Sequence, residues 1–521
     1  MSQITRRDAL KLGACSPLAI GLLGASVLET EPAKAQGLAV PSQTFTSGNK
    51  PASTLQFGVG FNWVDRFPVD GPAPVYPALE DTAGWNAVHA ALDELRPGFI
   101  RFWIETDACV GEKPGQIRTN APTFERAKFV SDWAETTDCT LMLDTVHVPR
   151  QFQFEESPVE LKAKENNQFL EMAARDNAAF VRDFIVPLLR HILIERKLAG
   201  FKYYNAYNEP LQYGPFSTPN NVPDPYKHYV EMYRELHEQL TAAGISPAHI
   251  RLSGVEAIEP SNFPALEFLS RGVDIDPYID MYTIHYYFHR FDWMSPVPYL
   301  PDTIEQAIDR GTPPLVDYCK RRGKPLMAAE VGWYPSDNDP SPMPTDPLAS
   351  SRHHAALTTA ETMVRGMNAG LTGFGIWSLF NPGAYDGAWQ VISYKDGRIE
   401  KSEHPYAMYR LFSRYARPGS QVYPLKVKQR EWPWQYVYAT SLLTPKDKVV
   451  LYAVNDHLVE SRKVHLQLPA AWAGRKLHKI VKDNERIGVE MGVVELKEAD
   501  GYATFDDLLF AGSMTAYVEE V

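Results

Sequence analysis

"FKYYNAYNEP", Phe201 to Pro210, reads as a buried strand for several residues and then ends in Asn208, Glu209 and Pro210. A carboxylate placed where an apolar strand runs out is costly unless it is paired or used. Pro210 removes a ladder donor and disfavours helix for Glu209, so the strand must stop there. If Glu209 does chemistry, one carboxylate is seldom enough, and a partner is expected elsewhere in the chain.

The same kind of short apolar run recurs on both sides of this stretch. Before it come "LQFGVGFNW" (55–63), "GFIRFWIE" (98–105) and "TLMLDTVHV" (140–148). After it come "IRLSGVEAI" (250–258), "IDMYTIHYY" (279–287), "KPLMAAEVGW" (324–333) and "LTGFGIWSLF" (371–380). The segments between them fit helices. Phe180, Phe184, Leu188 and Ile192 repeat at helical spacing ahead of the fourth run, with Pro187 placed to kink them. Continuous apolar strands alternating with helices imply a parallel sheet covered on both faces. Eight such units predict a (β/α)8 TIM barrel over 55–415, with its active site at the C-terminal strand ends. An open doubly wound sheet would want a glycine-rich phosphate turn after an early strand, and "FGVGFNW" lacks the spacing.

The character changes after Tyr415. Beyond the junction "RPGSQVYPL" lie "YVYATSLL", "KVVLYAVN", "KVHLQLP", "GYATF" and "MTAYVEEV", short alternating or β-branched runs that predict an antiparallel β-sandwich over 416–521. Residues 36–54 form an N-terminal segment that could pair with that domain, since chain ends often lie close together. Residues 1–35 read as an address. "TRRDALKLG" carries the pair Arg6-Arg7, a mildly apolar stretch follows, and Ala33-Lys34-Ala35 matches a small-x-small cleavage site. This resembles a Tat signal peptide cut after Ala35, which implies export to the periplasm or beyond. The apolar stretch is too short and too rich in Gly and Ala to serve as an anchor, so no integral membrane segment is expected after cleavage.

The formal charge of the chain is -12. The leader holds Arg6, Arg7, Lys11 and Lys34 against Asp8, Glu29 and Glu31, a net +1, so the mature chain carries -13. An acidic exported protein is a poor partner for nucleic acid or an anionic membrane. Of its cysteines, Cys109, Cys139 and Cys319 lie beyond the leader, and their scatter gives neither a disulfide framework nor a metal pair. Buried free thiols are expected, with at most one bridge. Iron–sulfur, haem and nucleotide signatures are absent from the sequence, so neither a cofactor nor a metal is expected.

Glu330, in "LMAAEVGW" at the end of the seventh run, supplies the partner that Glu209 calls for. Two carboxylates on one barrel face have a defined use: one stays protonated and donates to a leaving group, and the other attacks or activates water. With a glycosidic oxygen as leaving group this is glycoside hydrolysis, and a carboxyl separation of about 5–5.5 Å makes it retaining. An Asn-Glu-Pro tripeptide alone arises by chance in roughly one chain in twenty of this length. Its combination with a second glutamate three strand–helix units later is much rarer.

Asn208-Glu209-Pro210 on the fourth strand with Glu330 on the seventh resembles the clan A glycoside hydrolases over residues 55–415. The resemblance implies that Glu209 is the acid/base, Glu330 the nucleophile, and Asn208 the residue that holds the sugar 2-hydroxyl. It implies further that Arg101 of "FIRFW" supports the nucleophile, and that His285 and Tyr287 of "HYY" line the site with the tyrosine bonded to the nucleophile. Trp377 then floors the sugar pocket, and His147 contacts the sugar. The β-domain and the "HPYAMYRLFSRY" helix are similar to family 39, whereas "AEVGW" around the nucleophile is closer to family 5. The substrate implied is a β-linked oligo- or polysaccharide. Sugar, linkage and endo or exo action stay open.

Aromatic residues crowd the expected mouth: Trp63, Trp103, Tyr207, Trp333, Tyr334, Tyr385 and Trp389 are candidate sugar platforms or packing residues. "PSDNDPSPMPTDP" (335–347) is a polar, proline-rich loop suited to closing one side of a cleft. Two rival readings remain. A non-catalytic carbohydrate-binding barrel has no reason to keep both Glu209 and Glu330. A Tat-exported cofactor enzyme would carry a chromophore or metal.

Overall fold

The computed structural model describes residues 42–65, 76–145, 148–153, 173–209, 225–258, 275–288, 304–333, 351–380, 390–429, 435–457 and 459–519. The chain divides into Met1–Val40 and Pro41–Val521, and all the described residues belong to the second unit. Residues 1–35, the expected leader, and 335–347, the expected closing loop, therefore lie outside the described residues.

The chain enters through two short strands, β1 (Ser42–Ser47) and β2 (Ser53–Leu55). Eight parallel strands follow: β3 (Gly58–Val64), β4 (Phe99–Ile104), β5 (Thr140–Thr145), β6 (Phe201–Asn205), β7 (Arg251–Ile258), β8 (Met281–Phe288), β9 (Leu326–Trp333) and β10 (Gly373–Ile376). Strand β10 pairs with β3 and closes the barrel. Each of the eight apolar runs thus coincides with one barrel strand, with β3 and β8 extending one residue past the run, and each strand is shorter than its run. The fourth run stops pairing at Asn205, so Asn208 and Glu209 lie on the loop beyond the strand.

Alternation along the strands sorts their side chains. Phe99, Met142, Tyr203, Met281, Met327 and Ala329 form a small cluster inside the barrel. Ile100, Phe102, Leu141, Leu143, Tyr282 and Ile284, at the intervening positions, join the larger core under the helices. The run 177–195 is helical as expected, but it alternates α-turns with wider π-turns at Val181–Ile185 and His191–Glu195. Pro187, which offers no N–H, follows the first of these.

After the barrel come a hairpin, β11 (Ile392–Lys395) and β12 (Arg398–Lys401), and a helix, Glu403–Tyr415. The C-terminal strands are β13 (Ser420–Val427), β14 (Val437–Leu443), β15 (Val449–Asn455), β16 (Arg462–Pro469), β17 (Lys476–Lys482), β18 (Ile487–Glu495), β19 (Lys497–Ala499), β20 (Tyr502–Leu509) and β21 (Ser513–Val518). They build an 11-stranded sheet together with β1 and β2, in the order β18-β17-β21-β15-β14-β13-β1-β16-β20-β19, with β2 beside β13. Its pairs are antiparallel apart from β1 with β16. The sheet bends over a core of Phe45, Leu425, Leu451, Leu466, Phe505 and Tyr517, which gives the two layers of a sandwich. Strands β17 and β18 have no counterpart in the sequence reading, because Lys476, His478 and Glu490 give them little apolar signal.

Helices Ser351–Ala369 and Glu403–Tyr415 join the barrel to this sheet. Phe412 stacks on Tyr452 with ring centroids 4.4 Å apart, and the Tyr452 hydroxyl donates to the Leu411 carbonyl at 3.0 Å. Lys482 is fully buried in the same seam. Its Nζ donates to His404 Nδ1 at 2.7 Å, to His353 Nδ1 at 3.3 Å and to the Asp483 carbonyl. Cys109, Cys139 and Cys319 are buried and free. Among the described residues, no helix is long and apolar enough to cross a membrane.

Candidate active site

The barrel core becomes polar toward the C-terminal ends of its strands. On β4, Phe99 belongs to the inner apolar layer, Arg101 lies one pleat higher, and Trp103 one pleat higher again. Arg101 is fully buried and meets three carboxylates. Its Nη1 donates to Glu330 Oε1 at 2.5 Å, its Nη2 lies 2.6 Å from Asp144 Oδ2, and the same Nη2 lies 3.1 Å from Glu256 Oε2. Burial disfavours its charge, but Asp144, Glu256 and Glu330 more than compensate and hold the guanidinium above its ordinary value.

Two β-bulges deliver the buried glutamates. Between β8 and β9 the register runs Ile284 to Ala328 and then His285 to Glu330, so Ala329 is an extra residue. Ala329 already points into the barrel, and strict alternation would turn Glu330 out toward the helices. The extra residue resets the pleat and brings Glu330 inward. Between β7 and β8 the register runs Val255 to Thr283 and then Ala257 to Ile284. Glu256 is the extra residue here, with φ 55°. Its N–H is taken by Thr283 Oγ1 at 3.1 Å. Glu209 also sits in the left-handed region, at φ 41°. Such a backbone costs a non-glycine residue about 1–3 kcal/mol.

Asn62 on β3 ties these pieces together. Its Nδ2 donates to the Ala329 carbonyl at 3.0 Å, inside the bulge that carries Glu330. Its Oδ1 accepts from Arg101 Nη1 at 3.2 Å and from Trp103 Nε1 at 3.1 Å. Gly375 stands across from it. A Cβ there would come within 2.1 Å of the Ala329 carbonyl oxygen and 3.1 Å of Asn62 Nδ2.

The carboxylates converge on His285. Nδ1 lies 2.8 Å from Glu209 Oε1 and 3.6 Å from Glu330 Oε2, and Nε2 is hydrogen-bonded to Glu256 Oε2. Burial opposes charge on this ring. The nearby carboxylates of Glu330 and Glu256, with the bonds to Glu209 and Glu256, override that and raise its pKa to about 10. That shift favours the imidazolium, the form that donates from both nitrogens. Glu209 is raised, first by burial and then by the charge of Glu330, against the pull of His285 and Arg101. Glu256 moves the other way, because Arg101 and His285 outweigh its burial. Burial, with the charge of Glu256, raises Asp144 to about 7 although Arg101 and the Asn205 amide hold it. The Tyr287 hydroxyl donates to Glu330 Oε2 at 2.5 Å, and burial and Glu330 keep it a phenol.

Of the residues singled out in the sequence, Arg101, Asn208, Glu209, His285, Tyr287 and Glu330 come together here. One oxygen each of Glu209 and Glu330 and a ring nitrogen of His285 lie within 4.8 Å of one another. Asn208 Oδ1 accepts from Arg101 Nη2 at 3.2 Å. Trp377 packs edge-on against Trp103, centroids 5.2 Å apart, in a cluster with Val64 and Tyr287 beside the carboxylates. His147 lies outside the described residues, as do Tyr334, Tyr385, Trp389 and the side chain of Trp333. Trp63, Trp103 and Tyr207 are buried, so they pack rather than present faces to a ligand. Trp63 lies against Phe102 and Phe380, and the Tyr207 hydroxyl accepts from the Ala174 N–H.

The trio Glu209, His285 and Glu330 has the donor types of a metal site. Both ring nitrogens of His285 are already engaged by carboxylates, Nδ1 by Glu209 and Nε2 by Glu256. Sequence reading passed over Asn62, Asp144, Asn205 and Glu256. The signal that picked out Glu330, an acid inside an apolar strand, is also present in "LMLDT" and "LSGVEAI".

No protein-family model matches the chain, and no curated protein matches it. Solved structures share its architecture over nearly its whole length. A conserved exported protein from Bacteroides fragilis superposes with TM-score 0.61 at 13% identity, covering 91% of this chain and 100% of its own. A GH30 endoxylanase from Clostridium papyrosolvens gives 0.57 at 13%, covering 92% and 98%. The GH39 enzyme from Xanthomonas axonopodis pv. citri gives 0.54 at 13%, covering 94% and 99%. The fold of this chain is thus the barrel-plus-sandwich of GH30 and GH39 proteins. GH39 was among the families expected from sequence; GH30 was not.

Proposed function

We propose that this chain is a retaining β-glycoside hydrolase acting on a β-linked oligo- or polysaccharide, with Glu209 as acid/base and Glu330 as nucleophile. One observation carries the reading: oxygens of the two glutamates approach within 4.8 Å on the C-terminal face of a closed barrel. So close an approach of one oxygen pair is compatible with the carboxyl spacing of about 5–5.5 Å that direct attack on a sugar needs.

Glu209, with its raised pKa, donates its proton to the glycosidic oxygen. A Glu330 oxygen bonds to the anomeric carbon as the carbon–oxygen bond to the leaving group breaks. Arg101 and Tyr287 fix that carboxylate with one donor on each oxygen. Water then attacks the anomeric carbon and gives its proton to Glu209, and the ester to Glu330 breaks. Arg101 occupies Asn208 Oδ1, which leaves the Nδ2 amide for the sugar 2-hydroxyl. Trp377 supplies an apolar wall beside the same point. Strain at Glu209 and two bulged strands are a cost that a barrel merely binding sugar has no use for. The twin-arginine leader supports export by the Tat route to the periplasm or outside the cell.

The test is Glu330→Ala assayed on a panel of aryl β-glycosides, with xylan and other β-glycans as polymeric substrates. Turnover is expected to vanish, and azide to restore it with the α-glycosyl azide as product. Undiminished turnover, or a β-azide, would sink the assignment.

A further inference from the structure

Glu256 stands outside the double-displacement scheme, yet the fold spends strain on it. It is fully buried, it is the extra residue of a bulge, and its φ is 55°. Among the described residues its Oε1 is buried without a hydrogen-bond partner. A strained, half-satisfied carboxylate is a poor device for stability alone. Its Oε2 contacts Arg101 Nη2 at 3.1 Å and His285 Nε2. The opposite ring nitrogen, Nδ1, reaches Glu209. Glu256, His285 and Glu209 therefore form one continuous chain of hydrogen bonds that ends on the group holding the transferable proton.

We propose that Glu256 is a positioning residue for the acid/base: by holding His285 through Nε2 it keeps the ring doubly protonated, so that Nδ1 donates to Glu209 and limits how tightly Glu209 keeps its proton. The catalytic consequence rests on the glycosidase reading; the state of the ring does not. The charged groups facing His285 are Glu209 beyond β6, Glu256 on β7, Glu330 on β9 and Arg101 on β4, with Asp144 on β5 reached through Arg101. Its own strand adds the Tyr287 phenol and the Thr283 hydroxyl, which is engaged by the Glu256 N–H. Among the described residues Glu256 is the one carboxylate on Nε2, and removing its charge withdraws a main force that keeps the ring cationic. A neutral ring attracts a Glu209 carboxylate less, so the hold of Glu209 on its proton rises further.

The ring is read directly in protein labelled with 15N-histidine, with the His285 signals assigned by their loss in His285→Asn. In the wild type both nitrogens should remain protonated between about pH 5 and 9. In Glu256→Gln one proton should leave within that window, and Glu256→Asp, which keeps the charge, should behave as the wild type. A neutral His285 in the wild type overturns the proposal without any variant. An imidazolium that persists through the window in Glu256→Gln overturns it equally. The second reading is kcat/KM against pH on a 4-nitrophenyl β-glycoside. Its basic limb should move up by about one pH unit in Glu256→Gln, a tenfold change in rate on that limb. A uniform loss of rate with the limb unmoved would make Glu256 a purely structural residue. If the ring behaves as stated while the wild type turns over no aryl glycoside, the glycosidase reading fails and the assignment of the ring stands.

Discussion

Lys482 offers a test of the buried electrostatics that does not touch the carboxylates. It is fully buried between β17 and the two helices that join barrel to sheet. Burial, opposed in part by Asp483 and Glu403, lowers its pKa from 10.5 to about 8. A lysine depressed in the folded state costs stability while it is charged in both states. Below about pH 8 the folded protein carries that cost in full. Between about 8 and 10.5 the folded state has lost a proton that the unfolded state still binds, so stability rises with pH. At about 1.4 kcal/mol per pH unit, the whole effect is about 3 kcal/mol. Lys482→Met removes the ammonium and keeps the length of the side chain. It also forfeits the bonds to His353, His404 and the Asp483 carbonyl, at about 1 kcal/mol each. At pH 7 the variant should therefore be about as stable as the wild type. Near pH 10.5 the wild type should have gained about 3 kcal/mol relative to it. Denaturant unfolding of both proteins in pH steps gives the difference, and groups common to the two cancel. A difference that is flat in pH, or a wild type that falls behind as pH rises, would refute the reasoning.

Glu209→Ala should lower kcat/KM for unactivated aryl glycosides by about 10²–10⁴ and spare a dinitrophenyl glycoside, whose leaving group needs no proton. The basic limb of the wild-type profile, which lies above the ordinary carboxyl range because burial and Glu330 raise Glu209, should vanish with it. Asn62→Ala removes the donor to Ala329 and the acceptor of Arg101. It should cost about 1–3 kcal/mol for each buried group left unpaired, read by denaturant unfolding, and kcat should fall as Glu330 drifts. Gly375→Ala should give insoluble or unfolded protein, since its Cβ would sit 2.1 Å from the Ala329 oxygen; a soluble variant with wild-type melting would contradict the bulge geometry.

The barrel was legible in the sequence because a parallel strand covered on both faces is an unbroken apolar run, and eight of these alternate with helices. The ends of the strands were not, since apolar character outlasts the pairing. "YYNAYNE" continues as if it were strand, whereas hydrogen bonding stops at Asn205 and the chain turns left-handed at Glu209. Glu330 stood out as an acid in an apolar strand. Its orientation could not be read, because an extra residue at Ala329 exists only in the register with β8. Glu256 carried the same sequence signal as Glu330, and its place in the site shows only in its contacts with Arg101 and His285, which lie on other strands. For three of the mouth aromatics the structure decides between the two roles left open by sequence. Trp63, Trp103 and Tyr207 lie near strand ends, but the polar floor of the site needs an apolar wall behind it, and they supply it.

On the proposed mechanism the transferable proton sits on Glu209, and the charge balance of the site supports that placement. Arg101 and His285 are two cations set among four carboxyls, Asp144, Glu209, Glu256 and Glu330. Ionising all four would leave two negative charges in excess, in a place where little water can answer them. Glu256 is held low by both cations, so it does not take up the excess. Asp144 and Glu209 are both raised, but the Asp144 side chain is 0% exposed and that of Glu209 17%. Of the two, only Glu209 can pass a proton to a bound substrate. The charge of Glu330 is one of the causes that raise Glu209, and it disappears when Glu330 becomes an ester to the sugar. Glu209 then loses a repulsion while His285 and Arg101 remain, so its hold on the proton weakens. On the proposed mechanism the residue is thus an acid before the ester forms and a base after it, and Glu330 itself drives the change.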